Sequence, residues 1–146
     1  VAPILHFAIK NSDIDCIKQL LNHQQIDINI IAVTETNKRK VKIKKEETIL
    51  ETAIYNRNIP IIDMLLSHER IEINLKSKRM VASFQNFFIE ENDALELAIK
   101  LDNLEIIQKL CTYLNDKIKF TTERLNQLMN LTSNDEIKSL LYSIFK

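Results

Sequence analysis

The chain has 146 residues, the length of one domain or of a short stretch of a repeat array. Apolar residues make up 45%, enough for a real core, and 20 basic residues against 20 acidic ones leave no formal net charge, unlike a general polyanion binder. No run of about 18 apolar residues occurs, so no membrane-spanning segment is expected, and no signal peptide shows.

In chain order, "PILHFAIKNSDIDCIKQLL" (3–21) opens with Leu5, Ala8 and Ile9 at i, i+3 and i+4, one apolar stripe of a helix. Asp13 is placed to cap a second helix whose stripe is Ile17, Leu20 and Leu21. "NHQQIDIN" (22–29) then leads into an insert at 30–46, "IIAVTETNKRKVKIKKE". Val41 and Ile43 alternate there with Lys40, Lys42 and Lys44, a strand with one apolar and one charged side. Ile28, Ile30 and the residues after them are expected to supply the opposing strand. Lys38, Arg39 and Lys40 then fall near a hairpin tip, with Lys42 and Lys44 on its solvent side.

"TILETAIYNRNIPIIDMLL" (48–66) repeats the helix pair, with Asn58 as the second cap and Pro60 in the first turn, where a missing N–H costs least. "SHERIEIN" (67–74) matches the earlier linker, and an insert at 75–91, "LKSKRMVASFQNFFIEE", reads as a second hairpin. Lys76, Lys78 and Arg79 precede Phe84, Phe87 and Phe88 in it. Basic residues beside aromatics can stack on bases, but three exposed Phe would invite aggregation, so packing onto the helices or the neighbouring hairpin is expected. A third pair follows in "DALELAIKLDNLEIIQKLC" (93–111), capped at Asn103. A weaker fourth unit runs from Thr121 to Phe145, where "SNDE" (133–136) reads as an S-x-x-E capping box before Ile137, Leu140 and Leu141.

Leu5, Leu50 and Leu95 share a column, as do Ala8, Ala53 and Ala98, and Leu20, Leu65 and Leu110; each step is 45 residues. A register held over so many columns marks a repeat protein. With "PILHFA", "TILETA" and "DALELA" opening the first helices, and "NLEIIQKL" and "IDIN" later, the chain resembles ankyrin repeats over nearly all of residues 2–111. The fold class this implies is mainly α: a solenoid of three full repeats (2–29, 47–74 and 92–115) and a degenerate fourth (121–146), with β-hairpin fingers between repeats. Each period is roughly a dozen residues longer than the family's usual unit of about 33.

Three departures carry physical weight. The family's Gly between the helices is Ser12, Arg57 and Asp102; in a left-handed conformation each costs about 1 kcal/mol relative to Gly. No repeat keeps both the Thr and the His that tie neighbouring helix starts, so T-x-x-E (Thr48, Glu51) and D-x-x-E (Asp93, Glu96) are expected to cap locally. Ile4, Phe7 and Ile14 do not make the polar outer face of a terminal repeat, which suggests a longer parent array.

The resemblance implies a non-catalytic protein–protein interaction scaffold, docking a partner through the fingers and the concave helix face. The columns on that face are Lys10 and Asn11, Tyr55 and Asn56, Lys100 and Leu101, joined by Lys38, Arg39, Lys40, Lys42, Lys44, Lys76, Lys78 and Arg79 of the fingers. Tyr55 is the aromatic among polar neighbours, the natural hot spot. The basic run 38–45 has three open readings: a site for an acidic protein partner, a nucleic-acid or nuclear-import contact, and an edge strand kept soluble by lysines. A structural brick in a larger assembly remains the rival class.

Catalysis is not expected. His23 and His68 share a column and read as helix-end residues, and the absence of glycine rules out phosphate-cradling loops. No cofactor, metal, small-molecule substrate or membrane partner is expected. Cys16 and Cys111 stand in no metal or redox spacing and read as small buried hydrophobes of a reducing, cytoplasmic compartment, with the nucleus as the alternative.

Overall fold

The computed structural model describes residues 3–115 and 121–144; Ala2 and Phe145, within the expected first and fourth repeats, lie outside them, as do residues 116–120. Two compact units are present, Val1–Asp93 and Ala94–Lys146. The first holds two helix pairs, α1 (Ile4–Lys10) with α2 (Ile14–Asn22) and α3 (Ile49–Tyr55) with α4 (Ile59–Leu66). It also holds four strands, β1 (Ala32–Lys38), β2 (Val41–Glu47), β3 (Ser77–Ala82) and β4 (Phe87–Asn92). The second holds α5 (Ala94–Lys100), α6 (Leu104–Asn115), α7 (Thr122–Met129) and α8 (Asp135–Ile144).

The same turn closes the first three helix pairs. Ser12, Arg57 and Asp102 have φ of 54°, 53° and 52°, the left-handed conformation a helix end demands. The Ser12 N–H donates to the Ile9 carbonyl at 3.1 Å and the Asp13 N–H to the Ala8 carbonyl at 3.0 Å. The same pair of bonds recurs at Arg57 with Asn58 and at Asp102 with Asn103. The next residue then caps the second helix: Asp13, Asn58 and Asn103 accept from the N–H of Cys16, Ile61 and Ile106 at 3.1 to 3.2 Å. The fourth unit departs from expectation. Asn134, not Ser133, caps α8, taking the Glu136 N–H at 2.9 Å while Thr132 takes the Asn134 N–H.

Both inserts form hairpins, and the two hairpins join into one antiparallel sheet of order β1-β2-β3-β4. The first turn has only two residues, Arg39 and Lys40, both left-handed at φ 45° and 68°. That is the turn whose twist matches the flanking strands, and Asn-Gly is its preferred pair. The second hairpin closes through a four-residue loop in which Ser83 and Asn86 bond each other. Strand β1 starts at Ala32, so Ile28 and Ile30 stay outside the ladder; Ile28 is a buried loop residue instead.

Alternation and register assign two faces to this sheet. One carries Lys45, Glu47, Ser77, Arg79, Glu90 and Asn92 near its base and Ile43, Val81 and Phe88 further out. The other carries Lys42, Lys44, Glu46, Lys78, Glu91, Phe87 and Ile89. The three Phe do not pack as expected: Phe84, Phe87 and Phe88 are 94%, 70% and 48% exposed. Phe84 lies in the loop, and Phe87 and Phe88, adjacent on an outer strand, point to opposite faces.

The core of the first unit is Leu5, Ile9, Ile17, Leu50, Ala53, Ile54, Ile61, Ile62 and Leu65; that of the second includes Leu95, Ala98, Ile106, Ile107, Leu110 and Leu128. Ile4, Phe7 and Ile14 are exposed. Both cysteines are free, Cys111 fully buried and Cys16 only half-buried. Burial pushes the Cys111 thiol up to about 12, so in the native protein iodoacetamide should modify Cys16 while Cys111 reacts only on unfolding, as peptide mass spectrometry will show. Replacing Ser12 or Arg57 by Gly should raise unfolding free energy by about 1 kcal/mol each, measured by urea denaturation.

Candidate functional site

Where the inner sheet face meets the first helices of unit one, a cleft of about 380 Å³ opens. Lys10, Thr52, Tyr55 and Asn56 line its helical wall; Lys45, Glu46, Glu47, Ser77, Lys78, Arg79, Glu90 and Asn92 line the strand wall. Tyr55, 50% exposed, is the large aromatic in it. Burial and the Glu47, Glu90 and Glu51 carboxylates push its phenol above the usual range. Asn56 is anchored by donating from Nδ2 to the Ile9 carbonyl of the preceding repeat at 3.2 Å.

The cleft's strand wall is fastened by a buried polar column, His6 and Glu51, one period apart. His6 is fully buried, and its Nε2 lies 2.9 Å from the carbonyl of Glu47, the last residue of β2. That contact needs the proton on Nε2. Burial lowers the His6 pKa, keeping the ring neutral. Glu51 is 0% exposed; one carboxylate oxygen accepts from the N–H of Ser77, the first residue of β3, at 3.1 Å. The other has no partner among the described residues. Burial raises its pKa to about 7.

The expected local capping box at Thr48 and Glu51 is joined by a longer-range bond. Thr48 accepts the Glu51 N–H at 3.2 Å, and the Glu51 carboxylate, which the Thr48 backbone N–H still stabilises, also reaches on to hold the second hairpin. In unit two, Glu96 of the same column meets Arg124 of α7 at 3.3 Å. Each column residue reaches forward to the next segment, so the inter-repeat tie survives with altered chemistry.

The sequence-derived site residues divide into groups. Lys10, Tyr55, Asn56 and Arg79 come together in the cleft. Lys78 borders it, but its ammonium pairs with Glu91 at 3.2 Å on the other sheet face. Lys42 and Lys44 also sit on that face, because alternation places them opposite Lys45; Lys44 pairs with Glu46 at 3.2 Å. Arg39 and Lys40 form the turn, and Lys38 ends β1 beside it. Asn11 is exposed at the end of α1, Lys76 is exposed just before β3, and Lys100 ends α5 in the second unit. Lys45, Glu47 and Glu90 were not singled out from sequence, although strand parity with Arg79 would have found them once the register was known. Glu51 had a visible signal, its shared column with His6.

The two other histidines serve helix ends. His23 and His68 each take a backbone N–H two residues on through Nδ1, and His68 Nε2 donates to the Leu21 carbonyl at 3.1 Å. Arg70 and Asn29 add bonds between the same two linkers. Among the described residues no cluster of His, Cys, Asp or Glu could hold a metal, and no helix is long and apolar enough to cross a membrane.

Helix pairs closed by one recurring turn, spaced at 45 residues and joined in unit one by hairpins, define a helical repeat protein. A family model of ankyrin repeats, in three copies, matches residues 5–123. The chain belongs to the ankyrin-repeat family. No curated protein matches it.

Glu51 makes unit-one stability pH-dependent with a definite sign. Below the unfolded value of 4.5 the carboxyl is protonated in both states. Between 4.5 and about 7 the folded protein keeps a proton the unfolded chain has lost, so stability falls as pH rises and the loss is complete above 7. Glu51→Gln keeps an oxygen for the Ser77 N–H and removes the charge. It should flatten that fall, gaining up to about 3 kcal/mol on wild type between pH 5 and 8 in urea unfolding. The lowered pKa of His6 acts oppositely, removing stability as pH drops below 6.5 in both proteins.

Proposed function

We propose that the protein is a non-catalytic docking scaffold that holds a protein segment in the cleft of its first unit. Ankyrin repeats generally mediate protein–protein interaction, and the observation that carries the reading here is Tyr55. It is a half-exposed aromatic at the foot of a cleft whose walls are otherwise polar and charged. An aromatic so placed supplies contact area at low entropic cost and is the usual kind of binding hot spot.

Lys10, Lys45 and Arg79 share the cleft with Glu47 and Glu90, and Lys78 and Glu46 border it from the other sheet face. Such a mixed lining suits a segment with both signs of charge in a set register, since charge complementarity confers specificity more than raw affinity. It does not suit a nucleic-acid backbone, which the Glu47 and Glu90 carboxylates would repel. The two free cysteines favour the cytoplasm, with the nucleus as the alternative.

Affinity capture from native extract, with and without nuclease, tests the reading. Tyr55→Ala and Arg79→Glu should each deplete a nuclease-resistant set of proteins by about tenfold, while Glu69→Lys, away from the cleft, leaves it intact. Equal recovery by all variants would move the docking surface elsewhere.

A further inference from the structure

The charge of the sheet is sorted along its length. Residues 36–45 contain six lysines or arginines and no carboxylate; residues 73–89 contain three and no carboxylate. Every acidic residue of the sheet lies at Glu35 or nearer the base, at Glu46, Glu47, Glu90 and Glu91. The basal lysines Lys44 and Lys78 are paired with Glu46 and Glu91. Lys38, Arg39, Lys40 and Lys42 are exposed, and none has a carboxylate partner among the described residues.

Those four cations stand beside the exposed aromatics. Lys42 pairs with Ala82, whose other neighbour is Phe87, and Ile43 pairs with Val81, whose other neighbour is Phe88. The basic turn and the loop carrying Phe84 therefore project from the same end of the sheet. The three rings are spread apart: Phe87 on one face, Phe88 on the other, and Phe84 exposed in the closing loop. A rigid partner surface laid on either face reaches one ring. A fluid medium that surrounds the tip reaches all three.

We propose that this end of the sheet is a docking surface for an anionic lipid bilayer, the Phe rings entering the boundary between headgroups and acyl chains while Lys38, Arg39, Lys40 and Lys42 meet lipid phosphates and carboxylates. The chemistry is that of peripheral membrane attachment, in which apolar insertion and basic residues act together and neither suffices alone. At the turn itself, Arg39 and Lys40 hold the two left-handed positions, so both cations lie at the extreme end of the sheet. It departs from the expectation of no membrane partner and is independent of the cleft, which opens at the opposite, basal end of the sheet's inner face.

The test is co-sedimentation of the full chain at low salt with vesicles of phosphatidylcholine alone and of phosphatidylcholine containing one part in three phosphatidylserine. Binding to the anionic vesicles only, weakened by added salt, is expected. Arg39→Asn with Lys40→Gly installs the preferred turn pair, so the hairpin stays folded while two charges go; binding should fall by more than about tenfold. Phe84→Ser with Phe87→Ser should abolish it, with circular dichroism confirming an unchanged fold, and Tyr55→Ala should leave it as in wild type. No sedimentation with anionic vesicles, equal sedimentation with neutral ones, or full binding by the tip variants each overturns the proposal. So does tip-dependent binding of a fluorescent oligothymidine without vesicle binding, which would give the surface to single-stranded nucleic acid.

Discussion

Two buried side chains hold the hairpins where they stand. A hairpin of six- or seven-residue strands is marginal alone in water, and joining two of them still leaves the sheet to be aimed. His6 takes the base of the first hairpin through the Glu47 carbonyl, and Glu51 takes the base of the second through the Ser77 N–H. The second bond satisfies a backbone N–H, that of buried Ser77, that would otherwise be buried bare. Because both anchors lie in one column of successive first helices, the sheet's inner face is fixed over Lys10, Tyr55 and Asn56, and the cleft follows.

The chemistry of that column is not symmetrical. Each side chain leaves one buried atom without a partner among the described residues, His6 Nδ1 and the second Glu51 oxygen. The neutral imidazole carries no charge into its low-dielectric site, whereas an ionised carboxylate would. Glu51 answers by holding its proton to about neutral pH. The second hairpin is thus tied by a group whose charge state changes near physiological pH, while the first is tied by one that stays neutral there.

A glycine-free chain still needs left-handed residues, and this one supplies them from Ser12, Arg39, Lys40, Arg57 and Asp102. At the helix turns the strain is offset by two backbone bonds and a following cap. At the hairpin turn the compensation is the register of the strands alone. The zero net charge hides an equally uneven distribution, with compensated pairs at the base of the sheet and bare cations at its end. Local composition, not the total, describes what each surface can meet.

The sequence alone determined the helix pairs, their 45-residue period, the Ala column, the left-handed turn residues and the caps at Asp13, Asn58 and Asn103, because each rests on contacts within a few residues. Alternation at Val41 and Ile43 was likewise enough to place a hairpin and put Lys38, Arg39 and Lys40 at its turn. Only the tertiary structure decided that the two hairpins share one sheet, that Lys45 and Arg79 face the cleft while Lys42 and Lys44 face away, that Glu51 reaches Ser77, and that Phe84, Phe87 and Phe88 stay exposed. Those outcomes depend on which strand pairs with which and in what register. Shifting a strand by one residue exchanges its two faces, and no local pattern records that choice.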